Sequence, residues 1–194
     1  MSLLSAIRTS TQDRHVALER QVRISAARCT VTDYISLLRI TLAVVQPLEA
    51  PVALGLQPHF DWWADAEAGP RRRTDRLRSD LRALGASPDV EPPPELPDVS
   101  TTARAFGVAY VLQGSLLGGA VIARLLQTHT EVSAAQTTYL RMYGEQLGGV
   151  WKRFTTALDD YGIRASDAER DQAIDAARDT FGAFSAASSA ENRA

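Results

Sequence analysis

One cysteine, Cys29, stands among 194 residues. A single thiol builds no disulfide framework, and its scarcity fits a reducing compartment. There are three histidines. None falls in a His-Glu-x-x-His or zinc spacing, and the Glu-x-x-His pairs of a di-iron bundle are missing. Neither sign of charge dominates: the formal net charge is −2, so no nucleic-acid partner is implied. No stretch alternates polar and apolar residues as strands do, and no phosphate-binding glycine loop follows a strand. The opening run MSLLSAIRTSTQDRH lacks the apolar core of a signal peptide. No apolar run reads as long enough to span a membrane; the longest is interrupted by Gln113 and Arg124. These absences leave a cytoplasmic, all-α protein of one domain over 1–194, expected to fray from about residue 186.

What is present centres on Phe106 to Leu126, FGVAYVLQGSLLGGAVIARLL. It is apolar around most of its circumference and free of proline, so it reads as a buried helix. Yet it carries Gly107, Gly114, Gly118 and Gly119, each costing about 1 kcal/mol against alanine. At 100° per residue the first three fall within about 40° of one another, a bare backbone stripe with Gly119 beside it. Such a stripe serves either a closely packed second helix or a flat ligand lying on the backbone.

Around it, periodicity predicts a helix over 3–22 and another over 31–50. The second is entered through the Thr30-Val-Thr-Asp33 capping pattern and is kinked or nearly ended by Pro47, with Pro51 bounding the next segment. Trp62 and Trp63 suggest a short packed segment. Arg71 to Leu84 reads as a basic amphipathic helix closed by Gly85, its arginines a solvated face. Residues 86–100 are a proline-rich connection, and Ser100 to Thr102 caps the central helix. A further long helix is expected from about Thr130–Ser133, with a stripe of Leu140, Tyr143, Leu147, Trp151, Phe154 and Leu158 that Gly144, Gly148 and Gly149 bend. The last helix starts at the capping box Ser166-Asp-Ala-Glu169.

Chemistry is sparse. His59 follows a proline in an irregular segment, and His129 suits a helix C-terminus. His15 differs. It lies at the edge of an apolar face in a stripe Arg8, Thr11, His15, Glu19. It is either a satisfied core histidine or a metal ligand whose imidazole Glu19 orients. Ser115, in Gly-Ser-Leu-Leu-Gly, lacks the preceding strand of a nucleophile elbow, and Cys29 has no base beside it. One helix thus offers an axial imidazole and another a bare stripe. Haem fits between them, being flat, needing an axial histidine and carrying two carboxylates that want cations. Arg8 sits about 10 Å along the helix from His15, the reach from a haem iron to its propionates.

The run Ile7-Arg8-Thr9-Ser10-Thr11-Gln12-Asp13-Arg14-His15-Val16-Ala17-Leu18-Glu19 resembles the proximal-histidine signature of bacterial haem oxygenases. Ala109 to Gly119 is similar to that family's distal helix. Tyr143-Gly144 followed by Trp151-Lys152-Arg153-Phe154 is similar to the helix that supplies basic residues near the haem edge. The resemblance runs from about residue 4 to about 184, and looks closest to the biliverdin-producing enzymes found beside bacteriophytochromes. It implies that haem is substrate and prosthetic group at once. With O2 and electrons from a ferredoxin or reductase, haem is converted to biliverdin, carbon monoxide and ferrous iron. It implies His15 as iron ligand with Glu19 behind it, Arg8 as a propionate contact, and Lys152, Arg153 and Tyr110 as further haem contacts. It implies Gly114, Ser115, Gly118 and Gly119 as the catalytic backbone face, with a bacteriophytochrome as a candidate acceptor of biliverdin.

One departure stands out: animal members carry an aspartate directly after the first distal glycine, where this chain has Ser115, which holds a water but is no acid near neutral pH. Rival readings are a haem carrier that does not degrade haem, a thiaminase-like hydrolase, and a purely structural bundle.

Overall fold

Local capping chemistry sets where three of the long helices begin. In this computed structural model, residues 1–21, 30–57, 59–61 and 73–193 are described, the His129 side chain excepted. Trp62, Trp63, Cys29 and Arg71 lie outside them. Among the described residues there are six α-helices: α1 (Leu3–Gln21), α2 (Val31–Leu56), α3 (Arg73–Ala83), α4 (Thr102–His129), α5 (Leu147–Arg164) and α6 (Asp167–Glu191). No strand is present among them. Thr30 caps α2: its hydroxyl accepts from the Asp33 N–H (3.1 Å) and donates to the Asp33 carboxylate (2.6 Å). Thr101 caps α4 by accepting from the Arg104 N–H. Ser166 and Glu169 form the reciprocal box at α6. Gly85 ends the α3 region at φ +73°, a backbone state that glycine adopts without a Cβ clash.

Four expectations are corrected. Pro47 and Pro51 do not end α2, which runs on to Leu56. Each proline costs about 3 kcal/mol in a helix interior. Here Val44, Val45, Val52 and Leu56 are fully buried around them, and burying each such side chain returns about 1.5–3 kcal/mol. Second, residues 130–146 are not a long helix but an irregular path through two short 3-10 turns, Ala134–Gln136 and Gly144–Gln146. Gly144 at φ +49° breaks the run. Third, α2 and α4 are long and apolar enough to cross a membrane, contrary to the expectation from sequence, though more than half of each apolar window is buried inside the fold. At the far end α6 continues through Glu191, past the point where fraying was expected. Glu191 pairs with Arg39 of α2 at 3.1 Å, and Ala187 and Ser188 are buried.

The core gathers Tyr34, Leu38, Phe106, Leu112 and Phe154 from the longer helices. α6 is the shared partner of α1 and α4. Arg170 donates to the Met1 carbonyl (2.8 Å) and Arg178 to the Ser10 carbonyl (3.1 Å), so α1 runs along α6 in the same sense. Thr101 donates to Gln172 (3.0 Å), and Gly107 lies against the backbone of Ala173 and Ala177, so α4 does likewise. Two helices thus lie side by side on one support, both pointing toward the same end of the molecule.

Candidate functional site

α1 and α4 meet at Thr11 and Tyr110. Thr11 is buried, its hydroxyl donating to the Ile7 carbonyl (2.8 Å), and its side chain neighbours Tyr110. Burial raises the Tyr110 pKa; the Arg8 guanidinium and then the Thr11 hydroxyl oppose that rise. His15 is four residues beyond Thr11, and Gly114 four beyond Tyr110, each about 6 Å further on at 1.5 Å per residue. Past the contact both helices open. The buried residues of α1 are Leu3, Ala6, Ile7 and Thr11, all in its first half. His15 is 55 % exposed as a side chain. Beyond Tyr110, α4 likewise exposes Leu117 (37 %), Gly118 and Val121 (61 %). Exposed apolar side chains bordering an opening mark a surface that wants a nonpolar occupant.

His15 is oriented from two sides. Its ring stands edge-on to Phe181 of α6, centroids 5.9 Å apart at 74°. Nδ1 is 3.6 Å from the Glu19 carboxylate, too long for a direct hydrogen bond but close enough to favour the proton at Nδ1. That leaves Nε2 with its lone pair for a metal. No group of three or more histidine, cysteine or carboxylate side chains gathers to hold a metal among the described residues. A single axial nitrogen is nevertheless all that a metal already held in a macrocycle requires.

The glycines divide. A Cβ on Gly107 would collide with the Ala173 carbonyl, so close helix packing explains that position. A Cβ on Gly119 would lie 3.1 Å from Leu140, on the side of the 137–143 segment rather than the opening. A Cβ on Gly114 would touch the Trp151 ring at 3.7 Å, and one on Gly118 would meet nothing within 4 Å. The stripe is therefore covered first by α6, then by Trp151, and then by nothing. The residues present fit a flat apolar ligand with an axial metal: an oriented imidazole on one wall, an open backbone with apolar flanks on the other. Arg8, exposed on α1, supplies a cation toward Tyr110. Lys152 and Arg153 are exposed on α5, next to Trp151. Ser115 is exposed at the edge of the α4 face and donates to the Leu112 carbonyl (2.9 Å). His59 packs edge-on to Tyr161 (5.3 Å) at the end of α2, away from this opening.

Sequence reasoning misses a buried polar cluster behind α4. Arg73, expected within a solvated basic face, is 1 % exposed and donates to Gln113 and Tyr143. Glu49 accepts from the backbone N–H groups of Arg73 and Thr74, and Asp80, fully buried, accepts from Thr138 and Tyr139. The Trp151 cover over Gly114 is likewise not evident from spacing. The weak signals are a capping position at the start of α3 and an aspartate on its apolar side.

Comparison with known proteins agrees on one family. The family model described as Heme oxygenase matches residues 1–190. A haem oxygenase of Xanthomonas campestris pv. campestris (strain 8004) is 38 % identical over 123 residues, 63 % of this chain and 71 % of that protein. Two solved structures share the fold. The haem oxygenase from Neisseria meningitidis, determined with NO and CO bound, has a TM-score of 0.72 at 20 % identity, covering 98 % of this chain and 92 % of the other. The haem oxygenase from Leptospira interrogans has a TM-score of 0.72 at 19 % identity, covering 98 % and 100 %.

Proposed function

The chain belongs to the haem oxygenase family, enzymes that bind and degrade haem with O2 and electrons from a reductase, and we propose that the opening between α1 and α4 is where this chain does so. Haem, as substrate and prosthetic group together, supplies the iron at which O2 is activated, and biliverdin, carbon monoxide and ferrous iron leave. His15 holds the iron through Nε2, and Glu19 keeps the imidazole in that tautomer and orientation. Arg8 takes one propionate, with Tyr110 beside it; Lys152 and Arg153 take the other. Gly114 and Gly118 leave the α4 backbone uncovered so that its carbonyls and N–H groups come close to the reacting face. Gly119 contributes by letting Leu140 approach α4. Ser115 holds a water at the rim of that face, where proton delivery is needed. A ferredoxin or a reductase supplies the electrons. The family match over 1–190 supports a single domain, and a cytoplasmic bacteriophytochrome is the proposed recipient of biliverdin.

The observation that carries this reading is the pairing of an exposed, oriented His15 with the open Gly118 and exposed Leu117 and Val121 across the cleft. Haemin titrated into the purified protein should give a saturable one-to-one Soret band. His15→Ala should abolish or shift it while leaving apoprotein stability within about 0.5 kcal/mol, as for an exposed side chain. Ascorbate or a reductase in air should then convert the band into the broad absorption of biliverdin. A Soret band indifferent to His15→Ala would place the ligand elsewhere, and a band that never decays would mark a carrier.

A further inference from the structure

The cluster behind α4 contains one buried hydroxyl that the haem chemistry so far leaves unused. Tyr139 is 3 % exposed, and its hydroxyl is enclosed without a hydrogen bond of full geometry. Leu140, next to it in the chain, packs against Gly119 of α4, one turn beyond Ser115, and this brings Tyr139 alongside Ser115. The groups bearing on it are Arg73 from α3, Glu49 from α2 and Tyr143 from its own segment. Its backbone is held firmly: Asp80 accepts from the Tyr139 N–H (2.8 Å), the Thr138 N–H (3.0 Å) and the Thr138 hydroxyl (2.6 Å). Burial raises the Tyr139 pKa and Arg73 opposes the rise, so the phenol is a neutral O–H donor at ordinary pH. Such a pinned donor, lacking a strong partner, is costly unless it has a use.

Ser115 supplies the use. Its single proton goes to the Leu112 carbonyl three residues back, which leaves its lone pairs unfilled and its O–H turned away from the cleft. We propose that Tyr139 is a positioning residue for the haem reaction: it donates to Ser115 Oγ and so releases the serine proton to turn from the Leu112 carbonyl into the cleft. A donor arriving at the serine oxygen polarises its O–H, and keeps that oxygen satisfied while the proton is swung outward. Tyr139 gives up no proton. It makes a serine a better donor at the position where an acid is absent. The inference rests on the assignment of the α1–α4 opening as the haem site.

The test uses Tyr139→Phe, Ser115→Ala and the double variant in the full chain. In the apoproteins, Tyr139→Phe is expected to melt at the parent temperature or above it, because the ring is kept and a poorly bonded hydroxyl is removed. In the ferric haem complexes, the pH midpoint of the optical acid–alkaline transition is read. A hydroxyl donor aimed into the cleft stabilises the alkaline form, so Tyr139→Phe should raise the midpoint by about half a pH unit, the size of one net hydrogen bond. Ser115→Ala should raise it by at least as much, and the double variant should add nothing further. An unmoved midpoint in Tyr139→Phe, or the same shift persisting in the Ser115→Ala background, overturns the proposal. So does a fall in apoprotein melting temperature, which would mark the hydroxyl as structural. If the unsubstituted chain forms no haem complex, both this inference and the site assignment fall.

Discussion

A methyl group added at Gly107 and one added at Gly118 would meet opposite surroundings, although both lie on one face of α4. At Gly107 the new Cβ drives into the Ala173 carbonyl and the Ala177 N–H, both backbone atoms of α6 that cannot turn aside. The two helices must separate, and overpacking of this kind costs about 1–3 kcal/mol, more than the ~1 kcal/mol that alanine returns in helix propensity. At Gly118 the Cβ meets nothing within 4 Å. Gly118→Ala should therefore stabilise the apoprotein by up to ~1 kcal/mol while narrowing the cleft and slowing haem turnover. Urea unfolding of the two apoprotein variants should move their midpoints in opposite directions. A loss of stability at Gly118 would show that this face is covered before haem arrives. A glycine whose replacement improves the fold and harms the reaction is kept for the reaction.

Among the elements, α6 shows how a local cap acquires a pH dependence. The Glu169 carboxylate accepts from the Ser166 N–H (2.8 Å) and the Ser166 hydroxyl (2.8 Å), with the Tyr161 hydroxyl at 3.2 Å. The Ser166 backbone bond, then its hydroxyl, holds the Glu169 pKa below its ordinary 4.5. A folded-state pKa below the unfolded one gives stability that is present above the unfolded value and lost as pH falls through the folded one. Glu169→Gln should therefore melt below the parent at pH 7, and the gap in melting temperature should close as pH falls below 4.5. A gap constant from pH 7 to pH 3 would mean that the charge is not what caps the helix.

Helix starts of this kind are legible in the sequence because a cap is settled by residues three apart. Helix ends are not. α2 passes through Pro47 and Pro51 because distant helices bury Val44, Val45 and Val52, and no local signal carries that. The expected helix after Thr130 fails because Asp80, far off in the chain, captures the N–H groups of Thr138 and Tyr139. The same division holds at the site. Arg8, Thr11, His15 and Glu19 share one helix, so their spacing alone places them on one stripe. Arg73, Glu49, Asp80 and Tyr139 come from several elements, and Arg73 is hidden among arginines that do face solvent.

For the molecule as a whole, the support beneath the cleft is uneven. α4 is fixed to α6 by close backbone contact at Gly107, and α1 is fixed through Leu3, Ala6, Ile7 and Thr11. Beyond Thr11 α1 buries no residue, yet it carries His15 and Glu19. Segments with few buried apolar contacts open locally at low free-energy cost. In the apoprotein the amides of residues 12–21 should thus exchange with solvent faster than those of residues 3–11. If haem binds as proposed, held by His15 on one side and lying on Gly118 on the other, it ties this loose half of α1 to the well-anchored α4. Binding to the folded state alone also raises its stability, by about 2.7 kcal/mol at a hundredfold excess of haem over Kd. Hydrogen exchange with and without haemin should accordingly show the largest gain in protection at residues 12–21, with smaller gains along α4, and His15→Ala should remove the gain on α1 first. Protection spread evenly over all six helices would mean that haem stabilises the fold without bridging these two, and the cleft would lose its role as the place where the core is completed.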